Sequence, residues 1–234
     1  MGLCPTAAMA DPLYRLLAWL SPAYPIGAFS YSHGIETAVE EGFIKDRATL
    51  VSWLQSVLRH GTGAVDGALF AASWRAAATE DWPAFDLVAE RAAAWRGTSE
   101  MALESRQQGG SFLSMTRTAW PHRALDAVHE RLGGELSLPV AVALAAAAHG
   151  IVLEQAIGGY LHAFTANLIS AALRTVPLGQ SDGQLALAAL ESSVNAAAQA
   201  AMVADSLDDV GTSTPLLDWC SLRHETQYTR LFRS

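Results

Sequence analysis

The 234-residue sequence predicts an all-α fold, and three observations lead there. Apolar residues recur at i, i+3, i+4 and i+7 through most of the chain, while period-two alternation is scarce. Proline and glycine fall mainly between the periodic stretches. Alanine is abundant on several faces of those stretches, which suits close helix–helix approach.

The elements follow in order. Asp11-Pro12 is an N-cap and N1 pair that opens a short helix through Trp19. Two prolines and a glycine break the chain from Ser21 to Ser30, and a helix from about Ser32 ends at Gly42. Asp46 starts the next, with Leu50, Trp53, Leu54, Val57 and Leu58 on one face. Gly61-Thr62-Gly63 separates it from a helix over Ala64–Ala78, and Asp81-Trp82-Pro83 opens one that stops near Gly97. Ser99 can cap a helix through Ala119, with a kink or break expected at Gly109-Gly110. A helix over His122–Leu132 ends at Gly133-Gly134, and Ser137-Leu138-Pro139 starts one that ends at Gly150. The longest is expected from Ile151 to Val176, and Ser181-Asp182-Gly183-Gln184 reads as a capping box for a helix reaching about Ser206.

The organisation is therefore one all-α body, 1–206, of about ten helices, followed by a tail, 207–234, with one short helix from Pro215. From Gln155 to Leu173 no residue is charged, and the length touches the lower limit of a membrane span. Gln155, His162, Thr165, Asn167 and Ser170 interrupt the run, so it reads as a long central buried helix, with His149 and His162 as hydrogen-bonded core residues.

Composition narrows the function. Apolar residues make up 51% and charged residues 16%, enough for a substantial core. A net charge of −8 with a single lysine, Lys45, excludes the clustered basic footprint of a nucleic-acid binder. The two cysteines, Cys4 and Cys220, lie at opposite ends, which points to a reducing, cytoplasmic setting; no export signal is visible, and Met9 is an alternative start.

Catalytic constellations are missing. The sequence has no phosphate-binding P-loop, G-x-S-x-G elbow, H-E-x-x-H or C-x-x-C. His33 and Glu36 stand three apart on a predicted helix, and Cys220 and His224 four apart in the tail. Either pair lacks an obvious third ligand, so only a weak surface metal contact at Cys220 and His224 is entertained. No tightly bound cofactor is expected.

Three segments are richer than packing requires. Ser21–Glu36 combines Tyr24, Pro25, Gly27, Phe29, Tyr31, His33 and Glu36, and fits either a rigid core connection or a binding surface. Arg174-Thr175-Val176-Pro177-Leu178-Gly179-Gln180 is a tight interhelical corner whose arginine suits a helix C-terminus. The tail carries Leu216, Leu217, Trp219, Leu222, Tyr228, Leu231 and Phe232 among Cys220, His224, Glu225, Arg230 and Arg233. Burying those side chains returns less than the backbone entropy lost in ordering the segment, so the tail must dock on the body or a partner. The expectation is a tail that is mobile alone and orders on binding.

Together these segments resemble the UreF family of urease accessory proteins. Ser21–Glu36 matches that family's S-P-A-[FY]-P-[IV]-G-x-F-S-Y-S-H-G-[IL]-E opening; Arg174–Gln180 matches its R-x-x-P-L-G-Q corner; and His224–Ser234 matches its H-E-x-x-x-[ST]-R-L-F-x-S ending. The middle, Thr62–Leu138, matches in helical character and at Glu104-Ser105. The resemblance implies a non-enzymatic, homodimeric adaptor. Its partners would be the scaffold accessory protein UreD (UreH in some organisms), the GTPase UreG and apo-urease, with nickel handled by the complex. It would contact them through Tyr24, Pro25, Phe29, Tyr31, His33, Glu36, Arg174, Pro177, Leu178, Gly179, Gln180, Trp219, Leu222, His224, Glu225, Arg230, Leu231 and Phe232. The alternative is a GTPase-activating factor that supplies Arg174, Arg230 or Arg233 to UreG.

Overall fold

A computed structural model describes residues 11–234, so Cys4 and the alternative start at Met9 lie outside the described residues. Among the described residues there are no strands. The helices are α1 (Pro12–Trp19), α2 (Ile35–Glu40), α3 (Arg47–His60), α4 (Thr62–Ala78), α5 (Trp82–Ala94), α6 (Ser99–Ala119), α7 (Arg123–Leu132), α8 (Leu138–Ala148), α9 (Leu153–Ala172), α10 (Gln180–Val203) and α11 (Pro215–His224). Short 3-10 turns occupy Ala28–Ser30 and Leu207–Asp209. No helix of the described residues is long and apolar enough to cross a membrane.

Local chemistry sets the boundaries. Asp11 accepts from the Leu13 N–H and Pro12 stands at the first helical position, as expected for α1. Asp46 accepts from the Thr49 N–H at 2.8 Å, while the Thr49 hydroxyl oxygen accepts from the Asp46 N–H at 3.1 Å, a reciprocal cap for α3. Gly61 ends α3 and starts α4, a one-residue junction where a longer separator was expected.

The centre of the molecule is α8. Every residue from Pro139 to Ala146 is buried, and α4, α6 and α9 surround it. The long helix expected in that role, α9, instead exposes Gln155, His162 and Ser170. Their spacing of seven and eight residues makes a polar stripe on one face, so α9 is amphipathic and His162 is a surface residue. The longest helix is α10, with 24 residues against 20 for α9. It begins at Gln180, one residue before the anticipated cap: the Asp182 carboxylate accepts from the Gly179 N–H, while Ser181 and Gln184 play no capping part.

Two glycine-rich sites departed from expectation. The α6 helix runs through Gly109-Gly110 without a break. A Cβ at Gly109 would lie 2.1 Å from the Leu136 carbonyl oxygen and 2.7 Å from the Leu138 nitrogen, so the glycine admits the backbone that enters α8. In the opening segment α2 starts at Ile35, because His33 (φ 56°) and Gly34 (φ 77°) are left-handed. Gly34 thereby presents a bare face to α11, with the Ser221 nitrogen 3.3 Å from where a Cβ would sit.

The tail, expected to order on a partner, lies in this structure against the body of its own chain. Helix α11 packs on α2 and α6, burying Leu217, Cys220, Ser221 and His224. Hydrogen bonds from buried polar groups add to that apolar burial.

Candidate functional site

The opening segment and the tail are joined residue by residue. Glu36, buried on α2, accepts from the Leu231 N–H at 2.7 Å and from the Phe232 N–H at 3.0 Å. The Arg233 N–H donates to the Ser30 carbonyl at 2.8 Å, and the Ser32 N–H to the Ser234 carbonyl at 2.9 Å. The Thr37 hydroxyl donates to Gln227 Oε1 at 2.7 Å. Unpaired buried amides and carbonyls are costly, so these bonds fix the register of the last residues.

Two buried histidines anchor the joint. His224 has no exposed surface, and its Nδ1 meets Glu100 at 2.7 Å while Nε2 meets Glu36 at 3.1 Å. Both ring nitrogens therefore have a carboxylate partner, one from α6 and one from α2. Arg230 Nη1 reaches the other Glu100 oxygen at 2.9 Å. His33 lies between Glu104 (Nδ1, 3.2 Å) and the Thr62 hydroxyl (Nε2, 2.8 Å). The Ser234 hydroxyl donates to Glu104 at 2.8 Å. Burial pushes the Glu104 carboxyl up, but His33 and the Ser234 hydroxyl outweigh it and leave the group below the usual carboxylate range.

The corner closes the arrangement. The Arg174 guanidinium lies 3.7 Å from the Phe29 ring centroid and 4.1 Å from that of Phe232, and Nη2 donates to the Phe29 carbonyl at 2.7 Å. One side chain just beyond α9 thus holds the opening segment on one side and the tail on the other.

The sequence-derived site residues separate into two sets. Tyr24, Tyr31, His33, Glu36, His224 and Phe232 are buried and face other parts of this chain; Tyr24, for example, bonds the Thr116 hydroxyl at 2.8 Å. Exposed are Pro25, Phe29, Pro177, Gly179, Gln180, Trp219, Leu222, Glu225, Arg230 and Leu231, with Arg174 and Leu178 between the two sets. Leu216, Trp219 and Leu222, three residues apart on α11, are exposed on its outer face, and Tyr228 and Leu231 are exposed beyond the helix. Trp219 also meets Phe43 edge-on, and Phe43 stacks on Trp53.

The surface metal contact at Cys220 and His224 does not fit this geometry. Both residues are fully buried, the His224 nitrogens are bound to carboxylates, and burial pushes the Cys220 thiol up to about 12. No group of three or more His, Cys, Asp and Glu side chains is placed to hold a metal ion among the described residues. His33 and Glu36 do not face each other as a pair; the left-handed turn at His33 sends them to different partners.

Sequence reasoning missed Glu100, Thr62 and Gln107, which complete the joint from α4 and α6. It also missed the buried ion pair of Asp66 with Arg96 Nη1 at 2.8 Å, which the Tyr160 hydroxyl joins at 2.7 Å. A lone acid in the apolar α4 was the signal for Asp66, because a buried charge needs a partner. Burial, then the Asp66 carboxylate, raises the Tyr160 phenol far above its ordinary value.

The chain matches the UreF family model over residues 44–191. It is 49% identical over 231 residues to the urease accessory protein UreF of Granulibacter bethesdensis, a match covering 98% of this chain and 98% of that protein. It is also 49% identical over 229 residues to the urease accessory protein UreF of Rhodopseudomonas palustris strain BisB5, covering 98% of this chain and 94% of the relative.

Proposed function

The chain belongs to the UreF family of urease accessory proteins, and from that premise we propose that it is a non-enzymatic adaptor in urease maturation. In this reading it binds the scaffold accessory protein UreD/UreH and recruits the GTPase UreG to apo-urease, as a cytoplasmic homodimer. Nickel is the cargo of the GTP-dependent reaction. The observation that supports this most is the meeting of the three signature segments at Arg174, which joins Phe29 to Phe232. Residues of those segments that face inward fix the tail, and those that face outward form two surfaces. The apolar face with Leu216, Trp219 and Leu222 has the aromatic and aliphatic character of an interface centre and is assigned to the scaffold. The corner at Pro177-Leu178-Gly179-Gln180, exposed except at the half-buried Leu178 and stiffened by its proline, is assigned to the GTPase.

Co-purification from cells expressing all the accessory proteins tests the assignment. Gln180→Ala should keep the scaffold and lose the GTPase; retention of both partners by this variant would return the corner to an ordinary turn.

The arginine-finger alternative has less support at two of its three candidates. Arg174 is stacked between rings, and Arg230 is committed to Glu100, so either would have to break existing contacts to reach a nucleotide. If an arginine is nevertheless supplied, Arg→Ala should slow GTP turnover by orders of magnitude while the complex still forms.

A further inference from the structure

We propose that the cleft beside Arg233 is a carboxylate-binding site that receives an acidic side chain of a partner protein. The cleft measures about 520 Å3, and its polar lining comes from Ser30, Tyr31, Gln107, Ser111 and Arg233. No aspartate or glutamate lines it. Tyr31 donates its hydroxyl hydrogen to Gln107 Oε1, which takes up the amide's acceptor and leaves the two Nε2 hydrogens as its free donors. The Ser111 hydroxyl stands one helical turn further along α6.

Arg233 supplies the charge. Its backbone is held by the Ser30 carbonyl at 2.8 Å, so the side chain springs from a fixed point. Arg230 is paired with Glu100 and Arg174 is stacked, whereas Arg233 makes no ion pair among the described residues. A guanidinium fork with neighbouring amide and hydroxyl donors matches the planar oxygens of a carboxylate.

The openness of the cleft argues for a tethered ligand. A free small anion at an exposed arginine is weakly held and screened by salt. An acidic side chain delivered by a larger interface escapes that limit, because the rest of the interface supplies its local concentration. In a protein of net charge −8, one cleft lined by an arginine and no acid also tells an acidic partner surface where to dock. Only the naming of a protein as the source rests on the adaptor reading.

The test is nuclear magnetic resonance on the full chain at low ionic strength, with glutarate and inorganic phosphate as probes. Glutarate should shift the Gln107 side-chain amide and the Arg233 Nε–H saturably. Affinity should fall at least tenfold in Arg233→Gln and in Gln107→Glu, which keeps an acceptor for Tyr31 but places an acid in the cleft. Circular dichroism should be unchanged in both. Undiminished glutarate binding in either variant would overturn the site, and phosphate binding tenfold more tightly than glutarate would overturn the carboxylate assignment. Neither readout uses urease maturation, so failure of the adaptor reading would leave both standing. In co-purification at low salt, Arg233→Gln should capture less of the accessory partners than Arg59→Gln on α3; equal capture would remove a protein as the source.

Discussion

At the scale of single residues, Arg174 is the most consequential side chain of the joint. Replacing it with alanine removes two ring contacts and the bond to the Phe29 carbonyl. The expected loss is about 1–3 kcal/mol in urea unfolding, and lysine should recover only part of it because an ammonium lacks the planar face. His149 gives the pH dependence. Its Nε2 donates to the Trp120 carbonyl at 3.1 Å and its Nδ1 meets Arg15, so the ring is held neutral. Burial and the Arg15 charge lower its pKa from 6.5 to about 4. Between those values the unfolded chain binds more protons than the native one, so stability is full above 6.5 and falls as the pH drops toward 4. His149→Gln should flatten the unfolding free energy over that window; an unchanged slope would show that other groups set it. Glu104, also held below its ordinary value, adds a loss at still lower pH.

At the scale of elements, two glycines separate propensity from packing. Nothing lies within 4 Å of a Cβ built at Gly158 in α9, so Gly158→Ala should stabilise by about 0.5–1 kcal/mol. Gly109→Ala has the same helical advantage but drives a methyl into the backbone of residues 136–138 and should destabilise by about 1–3 kcal/mol or more. Thermal unfolding of the pair checks both signs. The contrast also marks what the sequence could disclose. The starts of α1 and α3 were readable from Asp11-Pro12 and Asp46 because capping chemistry is local, and that of α8 from Pro139 in its first turn, since Ser137 makes no side-chain cap bond. The Gly109-Gly110 pair reads locally as a kink or break, because the reason for its glycine, the backbone at Leu136, is distant in sequence. Likewise His33, Glu36 and His224 were recognisable as unusual, but Glu100 and Glu104 emerge as their partners only when α6 is laid beside α2 and α11. The docked tail predicts slowed amide hydrogen exchange at Leu231 and Phe232 in the free protein, lost in Glu36→Gln. Fast exchange there without a partner would instead support ordering on binding.

For the molecule as a whole, α8 and its surrounding helices hold α2, α6 and α9 in place, and the tail seals the end where their signature residues meet. In the proposed function the outer face of that tail binds the scaffold partner. The direct measurement is co-elution of the purified chain with the scaffold protein in size-exclusion chromatography, for the parent and for Leu222→Asp. Leu222 is 53% exposed, so a charge there should leave the circular dichroism spectrum and the unfolding midpoint close to those of the parent. The predicted result is a folded variant that no longer co-elutes with the scaffold. Undiminished co-elution of folded Leu222→Asp would contradict the assignment.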